Sequence, residues 1–320
     1  MSKPPPVCVV GSANIDLTFR TPRLPEAGET VKARDVHLGC GGKGANQAVM
    51  AALLGARVRM VARVGNDPFG QQLVDNLSSF GVNTDHVGQD AALPTGMASI
   101  IVDDGARNCI AVSPGANEGL TPDVVRSAAG AIREARVLLC QLETPVEATV
   151  EAFRIARAGG VRTVLTPAPA QPLPEELLEL TDLCVPNETE ASLLSGVDTS
   201  TVQGASEAAR ILRQRGPRAV IVTLGSRGCL LAEGTEIQCF PARAVRAVDP
   251  TGAGDAFVGA IAATLAAGGT LADALPRASA AAALSVTRSG AQASYPSREE
   301  VDSFLRSERG PGETGKGVEP

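Results

Sequence analysis

A chain of 320 residues sets one or two domains of ordinary size and is long enough to bury a substantial core. Hydrophobic residues at 44% and charged residues at 20% exclude wholesale disorder. An aromatic content of 2% with no Trp, together with a formal charge of -6, supplies neither stacking platforms nor a basic surface, which excludes nucleic acid as a partner.

The chain opens with Met1-Ser2-Lys3-Pro4-Pro5-Pro6 before a strand candidate of only Val7–Val10, too short for a secretory segment. Residues 1–6 are expected to be disordered and the protein cytoplasmic. Gly11-Ser12-Ala13-Asn14-Ile15-Asp16 follows, which places Asn14 and Asp16 at a strand's C-terminal end, where open α/β sheets bind ligands. Residues 18–38 alternate without a helical period. A glycine-rich run then leads into a helix expected over Ala48–Leu54, and a strand over Val58–Val64 follows. The next helix is marked at both ends, with Asp67 as N-cap, Pro68 at the first position, Phe69, Leu73, Leu77 and Phe80 on one face, and Gly81 as the stop.

A second alternating stretch, 95–113, carries the turn signal Asp104-Gly105. The two stretches could pair as a small separate sheet, acting either as a lid over a site or as a plain extension of the main sheet. Further strands are expected at Val137–Gln141, Val161–Thr166, Leu183–Val185 and Ala219–Thr223, each followed by helix. This alternation predicts an α/β fold around a mostly parallel sheet. The uncharged run Ala256–Ala272 falls short of the roughly 20 residues a membrane span needs, and reads as a buried helix over Ala256–Ala267. After Leu305 no apolar anchor remains, so 306–320 is expected to be a disordered tail. The seven cysteines stand singly, with no C-x-x-C, and predict buried free thiols in a reducing compartment.

The most chemically pointed segment is Asp249-Pro250-Thr251-Gly252-Ala253-Gly254-Asp255, opening directly onto that helix. Glycines let successive N–H groups converge at a helix N-terminus, where the dipole favours an anion. Asp255 beside them could take a proton from a hydroxyl, or could serve only as a cap. Gly41-Gly42-Lys43-Gly44-Ala45-Asn46-Gln47 has neither P-loop nor dinucleotide spacing, which disfavours a dehydrogenase; Lys43 and Asn46 suit a polyol, although a plain glycine-rich helix entry has the same form. Glu143 follows its strand as Asp16 follows the first. Asn187 and Glu190 could meet a phosphate-bound magnesium through water or form an ordinary cap. Thr223-Leu224-Gly225-Ser226-Arg227-Gly228 offers hydroxyls and backbone to a nucleotide. Two histidines and scattered cysteines disfavour zinc, and no G-x-S-x-G elbow occurs.

GSANIDL (11–17), GGKGANQA (41–48), RVGNDPFG (63–70), QLETP (141–145), PAPA (167–170), PNETEA (186–191), TLGSRG (223–228), DPTGAGDAF (249–257) and TRSGAQ (287–292) occur in this order. With them the chain resembles the ribokinase-like (PfkB) carbohydrate kinases. The resemblance implies a three-layer sandwich over 7–305 with a mostly parallel central sheet, in which segments 18–38 and 95–113 form a β lid that also makes a homodimer contact. It implies ATP-dependent phosphorylation of D-ribose at O5, with magnesium required and potassium stimulating. Alternatives are a family kinase for another sugar or nucleoside, such as deoxyribose or fructose, and a sugar-binding relative without catalysis, which would have no use for Asp255.

By the same resemblance, Asn14, Asp16, Gly42, Lys43, Asn46 and Glu143 contact the sugar. Asp255 is the base, and Gly252, Ala253 and Gly254 form the anion hole. Asn187, Thr223, Ser226, Gly228, Gly254 and Ser279 contact ATP, with Glu190 near magnesium. Asp249, Thr251, Ser285, Arg288, Gly290 and Ser294 hold potassium, mainly through carbonyls. Ser279 stands where many members carry His near the adenine, Thr166 where Asn is frequent, and Cys40 where a bulkier residue is usual.

Overall fold

The computed structural model describes residues 6–105 and 107–308. The expected disordered ends therefore fall mostly outside the described residues. Within them, Pro6 already pairs with Arg57 and residues 306–308 still belong to the last helix, so both expected boundaries move outward.

The chain begins with β1 (Pro6–Val10), β2 (Asn14–Thr21), β3 (Asp35–Gly41), α1 (Lys43–Leu53), β4 (Arg57–Gly65), α2 (Pro68–Ser79) and β5 (Asn83–Asp90). A hairpin of β6 (Gly96–Asp103) and β7 (Asn108–Ser113) then leads through α3 (Pro122–Ser127) and α4 (Ala129–Arg133) to β8 (Val137–Cys140) and α5 (Val146–Ala158). Next come β9 (Arg162–Leu165), α6 (Glu175–Glu179), β10 (Leu183–Cys184), α7 (Glu188–Ser195), α8 (Val202–Gln214) and β11 (Ala219–Thr223). The hairpin β12 (Cys229–Glu233) and β13 (Glu236–Phe240) precedes α9 (Ala253–Ala266), α10 (Leu271–Ser285) and α11 (Arg298–Glu308).

The main sheet has the order β13-β12-β11-β10-β9-β8-β1-β4-β5 and is parallel from β11 to β5. Helices cover both faces, so a strand such as β1 is apolar at every position: Val7 and Val9 face the layer of α1, α9 and α10, while Cys8 and Val10 face that of α5 and α8. Helix α9 is apolar almost all round because it lies between the sheet, α1 and α10. A Cβ on Gly259 would sit 2.7 Å from Met50 Cβ and 2.8 Å from the Gln47 carbonyl oxygen, so α1 and α9 approach as only glycine permits. That approach sets Asn46 and Gln47 against the start of α9.

The two alternating stretches do pair, in a separate sheet of order β3-β2-β6-β7. The strands begin closer to the site than the alternation indicated, because β2 starts at Asn14 and β3 runs on to Gly41. Helix α1 likewise starts at Lys43 rather than Ala48: Gly42, at φ 86°, makes the turn a few residues earlier. Helix α2 matches expectation, with the Asp67 carboxylate accepting the Gly70 N–H at 2.8 Å. The expectation had no place for β5, a polar edge strand (NTDHVGQD), or for β12 and β13, which fold back antiparallel at the opposite edge. All seven cysteines are free, and burial pushes the Cys8, Cys184 and Cys229 thiols up to about 12. Among the described residues no helix is long and apolar enough to cross a membrane.

Candidate active site

The C-terminal edge of the parallel sheet brings the exit of β1, the entry of α1, the exit of β8 and the start of α9 to one place. Asp255, in the first turn of α9, is buried, and each of its oxygens accepts an amide: Asn46 Nδ2 reaches Oδ2 at 3.0 Å and Gln47 Nε2 reaches Oδ1 at 3.0 Å. Burial drives the Asp255 carboxyl above its usual range, with Lys43 and the two amides opposing. Lys43 shows the reverse balance. Burial disfavours its charge, yet Asp255, Glu143, Glu190 and Asp16 together hold its pKa above the ordinary lysine value. One ammonium thus serves four carboxylates.

Glu143 is tied down at its Oε2, which accepts from Ser12 Oγ at 2.6 Å and from the Lys43 backbone N–H at 2.9 Å, next to the positive end of α1. Asn14 is buried and accepts from Asn117 Nδ2 at 2.7 Å, while Asn117 Oδ1 takes the Ala13 N–H at 3.0 Å. A Cβ on Gly42 would lie 2.8 Å from the Asn14 backbone nitrogen, so this backbone passes directly over the turn between β1 and β2. Asn14, Asp16, Gly42, Lys43, Asn46, Glu143 and Asp255 are therefore gathered as the sequence indicated. Ser12, Gln47 and Asn117 were missed. Gln47 was legible in the glycine-rich motif as a second amide beside Asn46, whereas Asn117 lies in no motif.

At the start of α9, Gly252 adopts φ 76°, ψ 0°. The Ala253 N–H donates to the Pro250 carbonyl at 3.2 Å, and the Ala256 N–H to the Gly252 carbonyl at 2.8 Å. Among the described residues no acceptor takes the N–H of Gly252, Gly254 or Asp255. The three available donors thus differ from the expected set: Ala253 is engaged, and Asp255 itself contributes one.

Beside this turn lies a cleft of about 550 Å³ lined by Thr223, Ser226, Gly228, Gly254 and Ser279. Phe257, Ala282 and Val286 give it apolar walls, and the patternless loop around Arg243–Val245 closes it. Asn187 is not in the lining. Its side chain caps α7, with Oδ1 accepting the Glu190 N–H at 2.9 Å while Glu190 takes the Asn187 N–H and Nδ2, each at 2.9 Å. For this pair the ordinary capping box is what forms, and it holds Asn187 beside Thr223 at the cleft. Glu190 nonetheless belongs to the charge cluster: burial raises its pKa, Lys43 lowers it and Asp255 raises it. A larger cavity, about 720 Å³, opens at the opposite edge of the sheet between Asp182, Arg218 and Gly268–Leu271, away from these groups.

Asp249 joins two loops, its Oδ1 accepting the Thr251 N–H at 2.9 Å and its Oδ2 the Gly290 N–H at 2.8 Å. Burial pulls this carboxyl upward, but the N–H groups outweigh it and hold it below the usual range. Ser294 and Ser285 are buried, and their hydroxyls donate to the carbonyls of Ala291 and Ala282. Arg288 directs its guanidinium to Glu300, so only its carbonyl could take the expected part.

Asp16 carries a testable cost. Burial, with Glu143 and Asp255 adding to it and Lys43 opposing, raises its carboxyl from 3.8 to about 7. A folded-state value above the unfolded one means that the associated stability is present below about pH 4 and is lost as the pH rises through about 7. Asp16→Asn is therefore expected to melt higher than wild type at pH 8, by about 1–3 kcal/mol, with the gap narrowing at pH 5. Melting curves at the two pH values check this, and a variant less stable at pH 8 would contradict it.

Comparison with known proteins places this geometry among relatives. The sequence matches the pfkB family carbohydrate kinase profile over residues 5–298. It is 42% identical over 300 residues to a ribokinase of Mus musculus, covering 92% of this chain and 93% of that one. It is 38% identical over 300 residues to a deoxyribokinase of Salmonella typhimurium, covering 93% and 98%. The structure of Arabidopsis thaliana ribokinase complexed with ribose and ATP superposes with a TM-score of 0.89 at 35% identity, covering 95% of this chain and 99% of that one.

Proposed function

The chain belongs to the pfkB family of carbohydrate kinases, and from that premise we propose that it transfers the γ-phosphoryl group of ATP to O5 of D-ribose, giving D-ribose 5-phosphate and ADP. The observation that carries the reading is Asp255: a buried carboxylate fixed by two amides, in the same turn as three N–H groups without acceptors.

Phosphoryl transfer asks the protein mainly for positioning and charge stabilisation. Asp255 takes the proton of the O5 hydroxyl. The N–H groups of Gly252, Gly254 and Asp255, at the positive end of α9, stabilise charge on the transferring group. Asn14, Asp16, Lys43, Asn46, Glu143 and the backbone at Gly42 hold the sugar hydroxyls. The cleft of Thr223, Ser226, Gly228, Gly254 and Ser279 takes the nucleotide, and Asn187 acts from beside it by capping α7 against Thr223.

A magnesium ion would be carried on the nucleotide phosphates with its own water. Such an ion neutralises phosphate charge, and Glu190 is the carboxylate assigned to its water. The all-oxygen set of the Asp249 carboxylate, the carbonyls of Thr251, Ser285, Arg288 and Gly290 and the Ser294 hydroxyl suits a large monovalent cation such as potassium. Asp249 already bridges the two loops, so a cation there would stiffen the Gly252–Gly254 turn. Turnover is expected to be about tenfold higher in potassium than in sodium at equal ionic strength, with Asp249→Ala abolishing the preference. Equal rates in potassium, sodium and caesium salts would remove the site.

The lid sheet exposes Val36 and Leu38 on one outer strand and Ile110 and Val112 on the other, and we assign these to contact with a second copy of the chain. The mass of the protein in solution reads this directly. We place the protein in the cytoplasm on its unpaired, mostly buried thiols.

The substrate is tested by ADP release with ribose, 2-deoxyribose, fructose and adenosine. Ribose is expected to be used best. Deoxyribose is the second reading, since the deoxyribokinase relative is nearly as similar as the ribokinase, and faster turnover of deoxyribose would reassign the substrate. Sugar binding without any ADP release would leave a non-catalytic relative.

A further inference from the structure

Asp255 stands at the end of two directed chains of amides. On one side Gln141 Nε2 donates to Gln47 Oε1 at 2.6 Å, and Gln47 Nε2 donates onward to Asp255 at 3.0 Å and to Thr166 Oγ1 at 3.2 Å. On the other side Asn76 Nδ2 donates to Gln292 Oε1 at 2.7 Å, Gln292 Nε2 to Asn46 Oδ1 at 3.0 Å, and Asn46 Nδ2 to Asp255 at 3.0 Å. Gln47, Gln141, Gln292 and Asn46 are 0%, 1%, 5% and 6% exposed, so bulk water has little access to substitute for a missing partner.

A carboxylate only accepts, whereas a primary amide accepts at one end and donates at the other. Asn46 or Gln47, turned over, would set its carbonyl oxygen against an oxygen of Asp255. What prevents the turn is that each carbonyl is already occupied from behind by a second amide. Neither Gln141 nor Gln292 donates to Asp255 itself, and they arrive from different places, the exit of β8 and the turn before α11.

Resting on the reading of Asp255 as the proton acceptor, we propose that Gln141 and Gln292 are positioning residues that lock the Gln47 and Asn46 amides with their N–H groups toward Asp255. The base thereby keeps two donors that favour its ionised form and an orientation aimed at the sugar hydroxyl. The charged and titratable groups around Asp255 are Lys43 on α1, Asp16 on β2, Glu143 after β8, Glu190 on α7 and the Tyr295 hydroxyl. All of them remain in place in the variants below.

The test compares Gln141→Met, Gln141→Glu and Gln292→Met, measuring kcat against pH with saturating sugar, ATP and potassium, alongside melting temperatures. Each Met variant is expected to lose about tenfold in plateau kcat and to shift the acid limb up by about one pH unit, because a lost donor disfavours the ionised carboxylate. The KM for ATP should stay within about twofold. In Gln141→Glu the protonated side chain still donates to Gln47, so its rate recovers over that of Gln141→Met on the acid side of neutrality and declines as the new carboxyl ionises. A lower melting temperature with an unmoved acid limb, or a Gln141→Glu profile parallel to wild type, would overturn the proposal. A carbon-13 titration of the Asp255 carboxyl, identified by its absence in Asp255→Asn, reads the same shift without turnover. The shift seen in an inactive protein would sink the reading of Asp255 as base, and activity without the shift would sink the lock.

Discussion

Asp255→Asn is expected to lower turnover by about 10²–10⁴-fold while ribose affinity changes only several-fold. The substitution keeps the size and planarity of the side chain and removes its capacity to take a proton. It also disturbs the donors around it: the carboxylate accepts from Asn46 and Gln47 at separate oxygens, and an amide can satisfy only one of them. The fold should survive, since burial already raises the Asp255 carboxyl and a neutral residue there escapes the cost of a buried charge. Steady-state turnover with calorimetry of ribose binding separates the two effects. Turnover near the wild-type level would take the base away from Asp255 and return it to the role of a buried cap.

Gly252→Ala is expected to lower kcat by about 100-fold or more with ribose affinity retained, because the residues gathered for the sugar lie on other elements. Gly252 sits at φ 76°, and an alanine in that left-handed conformation costs about 1–2 kcal/mol. Its Cβ would also lie 2.8 Å from the Tyr295 hydroxyl and 3.0 Å from Ala291 Cβ. The same hydroxyl donates to the Gly252 carbonyl at 3.0 Å, so the clash and the restraint act on one peptide unit. Relief requires the turn to shift, which redirects the Gly252 and Gly254 N–H groups; misplacement on the order of 1 Å costs about 10² in rate. Steady-state kinetics with ribose calorimetry measures this, and a kcat within about threefold of wild type would show that the turn does not hold the transferring group.

The sequence by itself determined the α/β class, the alternating segments of the small sheet, the caps of α2 and most of the residues that the fold gathers at the candidate site. Each of these is written in neighbouring residues: an apolar run buried on both faces, a glycine where the backbone turns, a carboxylate or amide just past a strand. Even the motif-borne readings stopped at local scale. The glycine-rich segment placed α1 near Ala48, and the turn at Gly42 moved its start to Lys43.

What only the tertiary structure decided depends on residues far apart in the chain. The polar strand β5 exists because β4 offers it an open edge, a reason absent from its own eight residues. The amides that aim Asp255 come from residues 46, 47, 141 and 292, and no periodicity or spacing connects them. They meet because the small residues of α9, Gly259 foremost, let α1 pack close beside it, and because a buried carboxylate favours an arrangement that gives each of its oxygens a donor.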